Sequence, residues 1–374
     1  MAVMWGRRNV ANLYRYLDAA HHRTRFHNFF LVERWDPEAA LRQKAQEWLR
    51  ALHPAQGETI YVSMDDSKHA KRGQVMEAVA KMKDPTINAY IRGHQYVCGS
   101  VRFRGQVIPC GIRLSVTQAP CAALDRPFRK TTALAAPLIR EFKAPAGVNV
   151  MVLFAAYYLC QTVVKACREK KFHCASTLQS NRSRFKLGWK LQAGRYGKHR
   201  FRRRRTALLE VGKPQGQVRF RYVDAGWLQV SHLGARPVVF SRKGAARKIL
   251  GLVTDDPDLS AAGLIQADDR RWEIEQWITD TKQLLGLGQY QNRSYGAAVT
   301  HLHLVCFAYA LLPHLRLERA GAHGQRTRHK AADLSTAPAQ NQLRSLLWED
   351  LITALKEERQ GQPVIQELER LRVA

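Results

Sequence analysis

Apolar positions recur at two different spacings along the chain, and the spacing changes where elements change. In DPEAALRQKAQEWLRAL (36–52) apolar residues return every three or four positions. That period predicts a helix, with Asp36-Pro37 as its cap and first turn. The region 1–57 reads as helical throughout. From Glu58 the pattern shortens. TIYVSM is a compact apolar run that leads straight into Asp65-Asp66 and reads as a strand closed by acids. MEAVAKM predicts a short helical piece, and QYVCGSVRF and QVIPCGIRL predict two strands around the turn Arg104-Gly105. An Ala- and Leu-rich helix is expected over Lys130 to Phe142, a buried strand over VNVMVLF, a helix over YLCQTVVKACREKK and another strand over FHCASTLQS. Strand, hairpin, helix, strand, helix, strand specifies an α/β domain with a mixed sheet.

After residue 206 the chain turns β-like, in QVRFRYVDAGWLQVSHLGARPVVFSR, with turn residues between segments. KILGLVT resumes a buried strand. Helices then follow from about Arg270 to Leu287 and from Ala297 to Leu315. The expected organisation is a helical module over 1–57, a catalytic-type domain over 58–206 and 246–317, a β-rich insertion over 207–245, and a basic linker with C-terminal helices over 318–374. The N-terminal helices, rich in Arg and His, suit either a DNA-contacting or dimerising module or a charged helical lead-in.

Charge narrows the partners. The chain has 374 residues, 60 Lys+Arg against 31 Asp+Glu, and a formal net charge of +29. So large an excess repels itself unless a polyanion neutralises it. The 45% hydrophobic content excludes a disordered basic tail. Nucleic acid is the expected partner, ahead of a membrane surface. The densest basic stretch is RSRFKLGWKLQAGRYGKHRFRRRR (182–205). In it Arg182, Arg184, Lys186, Lys198 and Arg200 to Arg205 are interrupted by Phe185, Trp189, Tyr196 and Phe201. The cations suit backbone phosphates, and the aromatics suit either a core or base stacking.

Cysteine usage and apolar runs fix the compartment. Seven cysteines, an odd number with no CxxC pair, argue for buried free thiols rather than a disulfide framework or zinc knuckle. The N-terminal residues contain no long apolar run of the signal-peptide kind. Val148 to Val164 is too short and too polar, with Asn149, Gln161 and Thr162, for a comfortable membrane span. The expectation is a soluble protein of the cell interior, with no membrane partner.

One helix concentrates chemistry. In ADDRRWEIEQWITDTKQLLGL, Arg271, Glu275 and Lys282 fall within about 40° of one another on a helical wheel. Ile274, Trp277, Ile278, Leu284 and Leu285 form the adjoining apolar face. The polar face suits a solvated salt-bridged surface, or an acid that holds a divalent metal while its cations grip phosphates. Asp65 or Asp66, closing a strand, offers a hard oxygen ligand where active sites gather, or a simple turn cap.

The spacing R-x3-E-x6-K formed by Arg271, Glu275 and Lys282 resembles the tyrosine-arginine-glutamate-lysine signature of one large group of bacterial insertion-sequence DDE transposases. RRWEIEQWITDTKQLLGLGQYQNRS resembles that group's RW-x-IE helix, LGL turn and YQ-x-R segment. MDDSKHAKRG resembles its first-Asp strand with a following Lys-Gly turn, and FHCASTLQSNR its strand after the second Asp. The likeness spans most of residues 20–316. It implies an RNase H-like mixed sheet with flanking helices and a β-rich insertion before the last acid. It also implies DNA cleavage and strand transfer by a pair of Mg²⁺ ions, with Mn²⁺ as a substitute. A homodimer would act on double-stranded terminal repeats and target DNA, in a bacterial cytoplasm at the nucleoid.

Carried over by position, Asp65 is the first metal-binding carboxylate and Glu275 the third. Asp65 is preferred to Asp66 because it satisfies D-x-S/T with Ser67. Arg271 and Lys282 would contact phosphates at the element's end. Two positions depart from the pattern. Asp268 stands where the signature has Tyr, and Ala155 stands where the second Asp belongs, just after VNVMVLF. An alanine cannot bridge metal ions, so the chain is expected to be nearly inert in strand cleavage, whether by engineering or by natural decay. Asp224 is the remaining candidate acid, within the β insertion. Two other readings stay open: a catalytically dead DNA-end-binding repressor or bridging protein, and a structure-specific nuclease. Trp227 suits either base stacking or hairpin packing. His301 and His303, two apart on a helix, point to different sides and make a poor metal pair.

Overall fold

The computed structural model describes residues 23–31, 35–73, 75–84, 86–186, 189–213, 216–322, 336–341 and 343–346, together with Asn12 and Tyr14; side chains at 183–190 and 313–322 are not among those described. The expected helices before residue 23 and after 346, and most of the expected linker at 318–342, lie outside these residues.

The described elements run α1 (Arg23–Leu31), α2 (Pro37–Ala51), β1 (Thr59–Ala70), β2 (Ala80–Asp84), β3 (Ala89–Phe103), β4 (Gln106–Ser115), α3 (Gln118–Ala123) and α4 (Thr131–Glu141). Then come β5 (Asn149–Phe154), α5 (Gln161–Glu169), β6 (His173–Leu178), β7 (Ser183–Lys186), β8 (Trp189–Gln192) and α6 (Ala193–Arg203). The chain continues through β9 (Ala207–Lys213), β10 (Gly216–Val230), β11 (Gly234–Lys243), β12 (Leu250–Thr254), α7 (Ala261–Asp280) and α8 (Tyr295–Ala322). All described strands join one mixed sheet of order β2-β3-β1-β5-β6-β12-β11-β10-β7-β8, with β4 on β3 and β9 on β10. β1-β5-β6 are parallel, and the other pairings are antiparallel.

The α/β class with a mixed, helix-flanked sheet matches the pattern reading. Two local expectations need correction. The segment MEAVAKM is a turn leading into β2, not a helix. Its Lys81 and Lys83 alternate with Ala80 and Met82, a period-two pattern that edge pairing to β3 satisfies. The acids do not close β1, which runs six residues past Met64, nor do they lie at a sheet edge, since β1 is flanked by β3 and β5. The strands between 207 and 243 continue the main sheet through the β11-β12 pairing.

Local rules explain the elements that hold. Asp36 caps α2 by accepting from the Glu38 and Ala39 amides, each at 2.9 Å. The hairpin turn Arg104-Gly105 has φ of 46° and 78°, the two positive values of the tight turn that matches strand twist.

Each strand divides its side chains between two cores. Ile60, Val62, Met64, Val150, Val152 and Phe154 pack with α2, α4 and α5. Met151 and Leu153 face the other way, toward Leu264, Ile265 and Ala267 of α7. Farther along the same face, Tyr96, Cys98, Ile112 and Leu114 pack on Ile274, Trp277 and α8. Among the described residues one helix carries an apolar window of membrane-spanning length, Tyr295–Leu312, and 61% of that window is buried within the fold. The seven cysteines are unpaired, and six are buried.

Candidate active site

The site begins with a difference in strand length. β5 ends at Phe154, which pairs with Met64, while β1 continues. On its other side β1 stays paired, Asp65 opposite Cys98. A notch therefore opens beside Asp65, and the next residue along β5's path is Ala155. Its backbone is still extended, with φ −69° and ψ 161°, before the chain turns through the short 3-10 segment Ala156–Tyr158. Side chains alternate along extended backbone, so Ala155 follows Met151 and Leu153 onto the α7 side, as Asp65 follows Tyr61. Neighbouring strands lie about 4.8 Å apart. Asp65 and Ala155 thus stand side by side on one face.

Alternation also separates the two acids. Asp66 faces away from α7, where it accepts from Gln95 Nε2 at 2.6 Å and from the Tyr158 hydroxyl at 3.3 Å. Asp65 turns to α7. Helix α7 starts at Ala261, nine residues before the start expected from the pattern, and its cap Ser260 accepts through its hydroxyl from the Gly263 amide at 3.0 Å. Arg271 sits at the centre of the site. Its guanidinium lies 2.9 Å from Glu275, 3.4 Å from Asp268 and 4.0 Å from Asp65. One cation from α7 therefore links three carboxylates on two elements.

The electrostatics follow from enclosure. Burial pushes the Asp65 carboxyl up to about 6, opposed by the Asp66 amide and Arg271. Burial also raises Asp268, against the pull of Arg271. For Arg271 burial acts downward, but Asp268, Glu275 and Asp65 outweigh it and hold the guanidinium above its ordinary value. Lys282 lies one turn beyond α7, in a π-helical turn, Thr281–Leu285, that ends on left-handed Gly286. Its ammonium donates to the Lys68 carbonyl at 2.9 Å, and burial lowers its pKa. Both signature cations thus tie α7 to β1 in this structure.

Asp268 takes part in the network at i−3 from Arg271, a spacing visible in the sequence once the helix is placed. Tyr158 and Gln95, which hold Asp66, carried no such signal, because they come from distant segments. Arg270 donates to the Tyr61 hydroxyl and stacks 4.6 Å from its ring, fixing α7 over β1. Asp224 does not reach the notch. Its strand β10 is five strands from β1, and its carboxylate accepts from the Gly226 amide at 2.8 Å, at a bulge.

The basic stretch divides between surface and support. Lys198, Arg202, Arg203, Arg204 and Arg205 are exposed on and after α6. Arg200 is half-buried with its guanidinium 5.6 Å from the Tyr196 ring. Arg182 donates to the Leu159 carbonyl at 2.7 Å, which makes it a brace for the segment after Ala155. The Arg184 side chain lies outside the described residues. Tyr196 packs edge-on against Phe240, a core role, whereas Trp227 is 59% exposed. His301 and His303 are buried and bond to the carbonyls of Gly286 and Val299 respectively.

The donor set does not fit a two-metal centre. Such a centre needs carboxylates that bridge and flank two divalent ions. Here Asp65 and Glu275 share Arg271, and the third position is a methyl group. Among the described residues no group of three or more His, Cys, Asp or Glu side chains is arranged to hold a metal ion. No model of a known protein family matches the chain, and no curated protein matches it.

Proposed function

We propose that this chain is a DNA-binding protein of the DDE-transposase type, with an RNase H-like core, whose strand-cleavage centre is disabled at Ala155. The observation that carries the reading is the meeting of three sequence-distant positions at one notch: Asp65 on β1, position 155 after β5, and Glu275 on α7. The resemblance assigned carboxylates to these three positions from motif likeness along the sequence. Their convergence, with Arg271 between two of them, supports it. The net charge of +29 and the exposed Lys198 and Arg202 to Arg205 supply phosphate contacts for duplex DNA. Trp227 offers a flat apolar surface to a distorted terminal base.

The missing acid favours a binding role over cleavage for the chain as it stands: holding element ends as a dimer, and repressing or bridging them. The resemblance also implies Mg²⁺, or Mn²⁺ in its place, but the residues present do not make that site.

The test is a comparison of the parent with Ala155→Asp on duplex DNA taken from the flanks of the encoding gene. The parent should bind and not cut. The variant should nick the ends when Mg²⁺ is supplied, and Glu275→Gln in that background should abolish nicking. A variant that binds but never cuts removes the DDE reading. Cutting without end preference or strand transfer selects the nuclease reading. A parent that does not bind DNA overturns both.

A further inference from the structure

Away from the acid notch, a cleft of about 360 Å³ lies among β4, α4, α8 and the loop that joins α3 to α4. Its walls include Ile112, Leu114, Val299 and His303, and its rim carries Arg126 and Arg129. None of the acid-notch residues lines it.

His303 is the unusual member. Its Nδ1 lies 2.8 Å from the Val299 carbonyl, one turn back on α8. A carbonyl only accepts, so Nδ1 carries the proton and Nε2 is a bare acceptor. Nε2 is buried and has no hydrogen-bond partner, on a residue 1% exposed. Burial pulls the ring pKa down to about 4, against the Val299 bond, which favours the charged ring. The ring therefore does not relieve the unpaired acceptor by taking a second proton near neutrality. A buried acceptor left unpaired carries a desolvation cost that a ligand donor would relieve. His303 is one of the residues that line the cleft.

The cleft's charges are arranged unevenly. On one wall Arg113 pairs with Glu38 and, at 2.8 Å, with Glu141, and Arg42, which does not line the cleft, also pairs with both acids, at 3.4 and 2.7 Å. Two cations and two acids balance there. At the rim Arg126 lies 4.2 Å from the Tyr295 ring centre, a stack that fixes its plane and leaves its N–H edges for an anion. Among the described residues neither Arg126 nor Arg129 has a carboxylate within salt-bridge distance. The cleft thus combines a positive rim with a lining histidine whose buried acceptor has no partner.

We propose that this cleft binds a small organic phosphate, its phosphate on Arg126 and Arg129 and a hydroxyl or amine donating to His303 Nε2. The volume suits a ligand of nucleotide or sugar-phosphate size. A duplex about 20 Å across is too broad to enter a cleft of about 360 Å³ and bring a donor to a buried ring nitrogen. The inference uses no residue of the notch and stands apart from the transposase reading.

The test uses the full chain, with histidine ring nitrogens observed by NMR and binding followed by calorimetry. The probes are adenosine monophosphate, glucose 6-phosphate, adenosine and inorganic phosphate. At least one organic phosphate should bind about tenfold tighter than adenosine or inorganic phosphate and shift His303 Nε2. The surface pair Arg126→Ser and Arg129→Ser should lose about tenfold in affinity without changing the melting temperature. His303→Gln gives a second reading, and the Nε2 shift in the parent decides the matter if that variant does not fold. If neither organic phosphate moves Nε2, the proposal fails. If duplex DNA displaces every probe while Nε2 stays unmoved, the rim is only a phosphate-backbone patch, and the proposal fails again.

Discussion

Ala155 stands beside Asp65 on the α7 face of the sheet, one step past the last paired residues, Phe154 and Met64. A carboxylate at 155 would face a neighbour whose pKa burial has already pushed up to about 6. Two like charges on adjacent strands repel. Ala155→Asp is therefore expected to lower stability at pH 8 by about 1–2 kcal/mol in a chelator. Millimolar Mg²⁺ should return that loss in the variant and leave the parent unmoved. Thermal melts with and without the cation read both. A variant as stable as the parent in chelator would mean that position 155 does not face Asp65.

Asp65 itself is expected to be held at a cost. Its folded pKa, about 6, lies above the ordinary aspartate value of about 4. The folded state thus penalises the carboxylate. The penalty is complete above pH 6, shrinks as pH falls through 6, and is gone below about 4. Asp65→Asn should then stabilise the chain at pH 8 by roughly 2–3 kcal/mol, with no gain at pH 3.5. Arg271→Met acts in the opposite direction. It leaves Asp65, Asp268 and Glu275 without their shared cation and is expected to cost about 3 kcal/mol at pH 8. Urea titrations at the two pH values measure both. A destabilised Asp65→Asn at pH 8 would reverse the sign and refute the account.

How much of this was legible beforehand depends on the range of the interaction. The Asp36 cap, the Arg104-Gly105 turn and the alternation of VNVMVLF are local and read directly. The α7 face was legible because 3.6-residue periodicity aligns Arg271 with Glu275. The end of β1 was not. TIYVSM loses its apolar character at Asp65, yet the strand continues because β3 supplies hydrogen bonds out to Ala70. Hydrophobicity marks burial, whereas strand length is set by a partner that the local sequence does not contain. Arg182 shows the same limit. Within a basic run it reads as a phosphate contact, and only the fold brings the Leu159 carbonyl to its guanidinium.

Four enclosed histidines make the fold sensitive to acid. His69, His94, His301 and His303 are each pulled down to about 4, chiefly by burial. Unfolded histidine titrates near 6.5. Between these values the unfolded chain binds more protons, so stability falls as pH drops from 6.5 toward 4. Four protons taken up by the unfolded chain, less the one that Asp65 takes up in the folded state below about pH 6, correspond to a slope of about 4 kcal/mol per pH unit within that window. Denaturant midpoints at half-unit intervals should show this steepening. His303→Gln should lessen the slope by about a third. A flat profile from pH 6.5 to 4.5 would rule out neutral buried rings at these positions.

The basic stretch makes a prediction that separates contact from support. Arg202, Arg203, Arg204 and Arg205 are exposed, and each phosphate they neutralise contributes about 0.9 to the slope of log affinity against log salt. Replacing all four with Ser should flatten that slope by up to about 3.6 and leave the melting temperature within a degree or two. Arg182→Ser should do the reverse. Its guanidinium holds the Leu159 carbonyl at 2.7 Å, so its loss should lower stability by about 1–2 kcal/mol and leave the salt slope nearly unchanged. Binding isotherms at four salt concentrations, paired with melts of the same preparations, distinguish the two roles. Arg182→Ser with parental stability and a flattened slope would return Arg182 to the DNA surface.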